Sequence, residues 1–145
     1  MKITDVKTYH LVYPLEEPFA NALVWSQTRS AGVVEITTDT GHTGWGEGLS
    51  VGDGEALRAT LIGREPFDTE VIWQELYSHG WGDVATISAV DIALWDIMGK
   101  SLDLPVHRLL GGAFRDKVPA YASGLFCKDR PDLAGALADE ARGYV

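Results

Sequence analysis

The helix predicted from Thr86 to about Lys100 constrains the fold of this chain more than any other segment. Its residues include a long apolar series: Ile87, Ala89, Val90, Ile92, Ala93, Leu94, Trp95, Ile97 and Met98. Apolar side chains therefore cover almost its whole circumference, which is typical of a helix packed on several sides. The rest of the chain must supply the surfaces that cover it.

Strand patterns come first in the chain. Ile3 to Pro14 is rich in Thr, Tyr and Val, and Gly32–Thr38 is a β-branched run. Residues 39–42 form a predicted turn, after which the glycine-rich stretch Thr43–Leu49 returns as a strand. Together these segments predict a three-stranded antiparallel meander. Leu15–Ser30 lacks a clear period and is predicted to be a long loop between the first two strands.

Helical periodicity begins at Asp53, where the apolar spacing changes from two to 3.6. Asp53 and Asp68 are predicted to cap two helices that precede the apolar one. Pro105 is predicted to start a short helical turn that Gly111 and Gly112 end. A strand meander followed by a bundle of helices predicts an α+β domain.

The last segment is a strand and a helix without a sheet to join. Lys117–Ser123 is predicted to be a strand, and Pro131 is predicted to start a helix that reaches Tyr144. A lone strand with one helix cannot satisfy its backbone or bury both faces. We therefore expect this βα unit to continue into further structure or to pair with another chain.

Composition excludes several classes of partner. The chain of 145 residues carries a net charge of -9, so it repels nucleic acid and anionic membrane surfaces. No apolar run approaches the ~20 residues that span a bilayer. Its single cysteine, Cys127, permits no disulfide within the chain, and we expect a cytoplasmic protein with a partly buried, inert thiol.

Two motifs suggest catalysis but have simpler interpretations. Asp39-Thr40-Gly41 spells the catalytic triplet of aspartic proteases, yet it also fits a hairpin turn, and the rest of the chain is too helical for such a protease. The glycines of residues 41–48 do not match the phosphate-binding fingerprint, because Val51 stands where its last glycine is required. Glycines in a closely packed strand are the favoured interpretation.

The acidic residues and tryptophans of the predicted helices and strands are expected to be structural. Asp91 and Asp96 are separated by about 140° around a helix, so they do not converge on one metal. Asp96 is expected to pair with Lys100, and Asp91 to make an ion pair or hydrogen bond to a neighbouring element. The tryptophans at regular spacing are expected in the core, namely Trp45, Trp73 and Trp95.

Three stretches together resemble one family. Asp39–Gly48 (DTGHTGWGEG), Ile87–Gly112 (ISAVDIALWDIMGKSLDLPVHRLLGG) and Val118–Ser123 (VPAYAS) are similar to the mandelate racemase and muconate lactonizing branch of the enolase superfamily. The resemblance implies an α+β capping domain over residues 1–113 and, over residues 114–145, the first strand and helix of a β/α barrel. A whole barrel takes about 250 residues.

The resemblance implies that the parent enzyme removes a proton from the carbon beside a carboxylate. Mg²⁺ stabilises the enediolate in that family, and a Lys or His acts as the base. These residues lie on later barrel strands, so the chain itself is expected to hold no catalytic or metal-binding residue and to be inactive alone. Sugar-acid dehydration is the first choice; racemisation, epimerisation and cycloisomerisation share the same intermediate and remain open.

The family's capping domain contributes two lid segments, which correspond here to Glu16–Thr28 and Leu49–Gly54. Such lids exclude water and shape the pocket. The resemblance makes the following residues the candidates for substrate contact: Phe19, Asn21, Trp25, Val51, Trp81 and Ser123. The expected partners are a small carboxylate substrate, the remainder of the barrel and further copies of the chain. A stand-alone, non-catalytic binding or oligomerisation module is the alternative from a different class.

Overall fold

The computed structural model describes residues 1–78 and 83–145, and its secondary structure follows the predicted α+β order. The strands are β1 (Ile3–Ala20), β2 (Trp25–Thr38), β3 (Thr43–Gly48) and β4 (Cys127–Lys128). The helices are α1 (Gly54–Leu61), α2 (Thr69–Ser78), α3 (Val84–Leu102), α4 (Val106–Leu109) and α5 (Leu133–Arg142). The α+β class predicted from the sequence is confirmed.

The sheet has the order β3-β2-β1-β4. The pairing of β2 with β3 is antiparallel, with Val34 opposite Gly46 and Ile36 opposite Gly44. The turn between these strands is the predicted one, and Gly41 supplies its positive φ of 83°. Alternate residues of β2 are buried, so this part of the sheet has one face toward the core.

The predicted loop over Leu15–Ser30 is wrong, because β1 continues to Ala20 and β2 already begins at Trp25. Only residues 21–24 form the connection. Asn21 closes it: its Oδ1 accepts from the N–H groups of Leu23 and Val24, both at 2.9 Å. The candidate lid Glu16–Thr28 is therefore the tip of a long hairpin.

The predicted strand over Lys117–Ser123 is also wrong, since residues 117–126 have no regular structure. A barrel strand is held by neighbours on both sides, and the described residues provide none for this segment. The strand that does form is β4, where Lys128 pairs with Phe19 and Cys127 with Ala20 of β1. The helix after it starts at Leu133, two residues later than predicted, because the side chain of Asp132 caps it.

The chain divides into two compact units. The first comprises residues 1–11 and 30–114, and the second residues 12–29 and 115–145. The first unit holds the core, to which β1, β2, α1, α2 and α3 contribute. Its buried members include Ile3, Val6, Val34, Ile36, Leu57, Leu61, Ile72, Leu76, Ile87, Val90, Leu94 and Ile97.

The packing of β3 on α3 explains the glycine-rich strand. Gly44, Gly46 and Gly48 project from one face of β3 at intervals of about 6.7 Å. They lie against Ala93, Ala89 and Ala85 of α3, whose four-residue spacing repeats every ~6 Å along a helix. The two spacings nearly match, so strand and helix backbones approach closely along their shared length. The closely packed strand predicted from the glycines is confirmed.

Helix α3 begins at Val84, two residues before the predicted start, because Asp83 is its N-cap. It ends at Leu102, where Asp103 adopts a left-handed conformation with φ of 52°. Among the described residues, no helix has the length and apolar character needed to cross a membrane.

Candidate functional site

Three of the candidate residues lie at the hairpin tip, namely Phe19, Asn21 and Trp25. Phe19 is held in place by contacts with its ring. The ring of Phe19 lies 4.8 Å from that of Phe126, and the guanidinium of Arg29 lies 4.7 Å from the Phe19 ring centre. The contact with Arg29 has the geometry of a cation–π interaction. Phe19 thus contacts both an aromatic ring and a cation, and no local sequence signal indicated either contact.

An ion-pair cluster fixes the same part of the hairpin. Glu17 accepts from Lys128 at 2.8 Å and also pairs with Arg130. Lys128 and then Arg130 lower the pKa of Glu17 below its ordinary value, because both cations favour the charged carboxylate. Residues far apart in the chain thereby hold the hairpin against β4.

A groove of about 600 Å³ opens beside these contacts. Its lining consists of Glu16, Glu17, Pro18, Trp25, Gln27 and Asp129. Trp25 is 52% exposed, so a large apolar surface faces the solvent at this point. An open groove with one aromatic face and several polar groups is suited to a small polar ligand.

The other candidates at this end of the chain have different surroundings. Asn21 is exposed, and its Oδ1 is used in the turn, which leaves only its side-chain NH₂ group for a ligand. Ser123 is exposed in the irregular segment 117–126. Trp81 lies in residues 79–82, outside the described part of the chain. Cys127 is exposed, which corrects the expected partial burial of its thiol.

The second candidate lid, Leu49–Gly54, belongs to the first unit and is anchored at its base. The hydroxyl of Ser50 donates to Asp83 Oδ2 at 2.9 Å, and Gly52 N–H donates to Thr86 Oγ1 at 2.9 Å. Val51 is half-buried and packs against the core, while Leu49 is almost fully exposed. Val51 is therefore partly a structural residue, and Leu49 is the freer apolar side chain of the segment.

Asp83 joins this lid to the start of α3. Its carboxylate accepts from the hydroxyls of Thr86 and Ser50 and from the N–H of Ala85. These hydrogen bonds, that from Thr86 first, lower the pKa of Asp83 below its ordinary value. The network therefore depends on the charged form of one half-buried carboxylate.

This dependence predicts how acid affects the first unit. The folded state binds the Asp83 proton more weakly than the unfolded state, so the network stabilises above the ordinary carboxyl pKa. That contribution is lost as the pH falls through the lowered folded pKa. Stability measured by urea unfolding should fall less over this acid range in Asp83→Asn than in the unchanged chain. Equal acid dependence in both proteins would contradict the assignment.

The remaining acidic candidates have structural roles. Asp39 lies in the turn between β2 and β3, as the simpler interpretation of Asp39-Thr40-Gly41 predicts. Its Oδ1 accepts from the N–H of Lys2 at 2.8 Å. Asp96 pairs with Lys100 at 2.7 Å, as predicted, and also accepts from Trp45 N–H at 2.9 Å. Both carboxylates serve the fold of the first unit.

Asp91 lies on α3, and its surroundings differ from the expected pairing with a neighbouring element. Burial raises its pKa, and the charge of Glu70 raises it further, while a hydrogen bond with Trp95 opposes the shift. Trp95 belongs to the same helix as Asp91, so this hydrogen bond is not the expected one to a neighbouring element. No ion pair of Asp91 occurs among the residues that the structure describes.

Trp45, Trp73 and Trp95 were expected in the core because of their regular spacing, but none of them is fully buried. Trp45 is 46% exposed and stacks on Tyr9 at 6.0 Å, and Trp73 stacks on Tyr77 at 5.0 Å on the outer side of α2. Trp95 is only half-buried. Regular spacing predicts that these tryptophans lie on a helix or strand, but it does not show which face of that element packs against the core.

Within residues 1–78 and 83–145, no three His, Cys, Asp or Glu side chains are grouped so that they could hold a metal ion. The described residues therefore do not fit a magnesium centre.

The family assignment comes from a direct match. The N-terminal domain of the mandelate racemase / muconate lactonizing enzyme family matches residues 3–111. The chain belongs to this family. The match includes β1 to β3 and α1 to α4, with both candidate lid segments.

Known relatives act on sugar acids and their lactones, as their names state. A D-galactarolactone cycloisomerase from Agrobacterium fabrum is 39% identical, over 97% of this chain and 40% of its own length. A D-galactonate dehydratase from Pectobacterium atrosepticum is 38% identical, over 84% of this chain and 31% of its own length. The chain therefore spans less than half the length of these relatives.

Solved structures show the same fold. The 3,6-anhydro-D-galactonate cycloisomerase from Zobellia galactanivorans has a TM-score of 0.73 and 35% identity, over 99% of this chain and 40% of that one. A dipeptide epimerase from Enterococcus faecalis, complexed with Mg and a dipeptide, has a TM-score of 0.65 and 32% identity. That alignment covers 77% of this chain and 35% of the epimerase. These similarities agree with an enolase-like capping domain.

Proposed function

We propose that this chain is the capping part of a larger enzyme that removes the proton α to the carboxylate of a sugar acid, with dehydration as the net reaction. One observation carries the proposal. The chain aligns over most of its length with a sugar-acid dehydratase and a sugar-lactone cycloisomerase, in a family whose N-terminal domain it contains. Racemisation, epimerisation and cycloisomerisation of a related acid are the alternatives within the same chemistry.

In this proposal residues 1–113 form the capping domain, and residues 114–145 begin a barrel that lies largely outside the chain. The irregular segment 117–126 supports this division, because its backbone has no sheet to join among the described residues. We infer that residues of the barrel outside this chain bind Mg²⁺ and supply the base. The whole enzyme is expected to be a homo-oligomer.

The chain's own contribution is to enclose and orient the substrate. Trp25 presents exposed apolar surface from the hairpin tip. Phe19 and Val51 are half-buried, and we propose that each contacts the substrate from its own lid segment. Asn21, Trp81 and Ser123 complete the proposed contact set. Closing such surfaces over a substrate expels water and strengthens the electrostatic interactions that hold the developing enolate.

The proposal predicts turnover by the full-length protein and none by this chain alone. Each should be incubated with Mg²⁺ and a panel of sugar acids in D₂O, and the proton at C2 followed by NMR. Dehydration consumes the acid and yields a 2-keto-3-deoxy product, whereas racemisation or epimerisation exchanges the C2 proton without loss of water. A folded full-length protein that neither exchanges this proton nor consumes any acid of the panel would disprove the proposal.

A further inference from the structure

We propose that Glu140 is a positioning residue, which holds the segment 123–126 in a fixed bend beside the active site without touching the substrate itself. This inference rests on the proposed function, because it names a residue that serves the same enzyme. It is carried by two hydrogen bonds of the Glu140 carboxylate, by the backbone conformation at Leu125 and by the charges around the carboxylate.

The carboxylate of Glu140 joins α5 to the segment before β4. Its Oε1 accepts from the N–H of Leu125 at 3.0 Å and from the hydroxyl of Tyr144 at 2.7 Å. Helix α5 is a firm base for this contact, since the side chain of Asp132 caps its first turn. A charged acceptor makes such hydrogen bonds about twice as strong as neutral ones.

Leu125 adopts a backbone conformation that a leucine rarely takes on its own. Its φ is 59°, in the left-handed region, where the Cβ atom crowds the backbone. Such a conformation persists only when surrounding contacts hold it, and the hydrogen bond from Leu125 N–H to Glu140 is such a contact. Without this bond, we expect residues 123–126 to relax into other conformations.

Gly124 lets the segment lie directly against the same two side chains. A Cβ atom at this position would be 2.6 Å from Glu140 Oε1, and it would also clash with the hydroxyl oxygen of Tyr144. Even a methyl group here would therefore push both side chains away from the backbone. The chain has its smallest residue at the point where the bend meets the carboxylate.

The charges of this region keep Glu140 ionised. The Leu125 N–H and the Tyr144 hydroxyl lower its pKa, and Lys128 and Arg130 lower it further, while burial opposes the shift. The hydrogen bond to Glu140 raises the pKa of Tyr144, so the tyrosine keeps the proton that it donates. Glu140 is therefore charged near neutral pH, which is the state that binds both donors most strongly.

The bend has a place in the proposed enzyme. Segment 123–126 contains Ser123, a proposed substrate contact, and lies where the first barrel strand is expected to end. Active sites of such barrels form at the carboxyl ends of the strands. Phe126, at the other end of the segment, contacts Phe19 of the hairpin. A shift of about 1 Å at a site of this kind costs roughly a hundredfold in rate, so a residue that fixes the bend matters for turnover.

The test compares variants of the full-length protein on a sugar acid that the unchanged protein converts, at a temperature where every variant is folded. Glu140→Ala removes both hydrogen bonds, so its kcat/KM should fall about tenfold or more. Glu140→Gln keeps an oxygen that accepts from the same donors and should retain activity within about threefold. Asp139→Ala is the matched control and should leave kcat/KM unchanged, because it removes the neighbouring carboxylate of α5, which pairs with Arg142 instead.

Hydrogen exchange followed by mass spectrometry reports the bend without turnover. In peptides that contain Leu125, exchange should be about tenfold faster in Glu140→Ala than in the unchanged protein, and should not change in Asp139→Ala. The inference is overturned if Glu140→Ala keeps full kcat/KM, if Glu140→Gln loses as much activity as Glu140→Ala, or if exchange at Leu125 stays the same. Those results concern an active protein; a full-length protein that converts no sugar acid would instead refute the proposed function, and the positioning role with it.

Discussion

Replacement of Gly46 by alanine is expected to destabilise the first unit by about 3 kcal/mol or more. A Cβ atom at Gly46 would lie 1.8 Å from the carbonyl oxygen of Ala89, which is backbone of a buried helix and cannot rotate away. To relieve the clash, β3 would have to move off α3 and open the core. Urea unfolding followed by tryptophan fluorescence measures the loss.

Glu47→Ala is the control for this prediction. Glu47 is the next residue of β3 and is exposed on the opposite face of the strand. Its replacement should change the free energy of unfolding by no more than about 0.5 kcal/mol. If Gly46→Ala were as stable as Glu47→Ala, the close approach of β3 and α3 would be wrong.

Leu94→Ala is expected to cost about 3 kcal/mol of stability. Leu94 lies at the centre of α3 and is 1% exposed, so the substitution removes buried methyl groups and leaves a cavity that rigid neighbours fill only in part. The same unfolding experiment applies, and the midpoint should shift to lower urea concentration with little change in slope.

The matched variant for Leu94 is Ile92→Ala on the same helix. Ile92 is 46% exposed in this chain, so its truncation should cost about 1 kcal/mol or less. Leu and Ile differ in helix propensity by only about a few tenths of a kcal/mol, which is too little to explain the contrast. Equal losses in the two variants would show that α3 is not oriented as described.

Turns and helix starts that depend on contacts between residues close in sequence could be predicted from the sequence. The turn before β3 was predictable because Gly41 occupies a conformation that other residues rarely adopt. The start of α1 was predictable from Asp53, whose side chain accepts from the N–H of Glu55. Asp83 carries the same capping chemistry at α3, but Thr86 lies nearer to the apolar run, so the sequence pattern favours Thr86 as the start of the helix.

The end of β1 was not predicted from the sequence, because it depends on contacts with residues that are distant along the chain. Residues 15–20 look like a loop because they are polar and contain Pro18, yet they form a strand. Their partners are β4 and the cations at Lys128 and Arg130, more than a hundred residues away along the chain. The reverse holds at Lys117–Ser123, where a strand-like composition is not enough without neighbouring strands.

The candidate site was predictable only in part for the same reason. Phe19 and Trp25 were predictable as site residues from the family resemblance, and they are also aromatic residues in a polar stretch. Asp129 contributes to the same groove from the other end of the chain, and no spacing in the sequence connects it to Trp25. Arg29 was overlooked because its contact with Phe19 depends on the hairpin, which the predicted loop did not contain.

The central claim, that this chain is one part of a larger barrel enzyme, is tested most directly by the intact mass of the protein purified from its natural source with its activity. The chain alone has a mass of 15.8 kDa. We expect a mass more than twice as large, as the relatives' lengths imply, together with turnover of a sugar acid. A protein of about 15.8 kDa that turns over a sugar acid by itself would contradict the account.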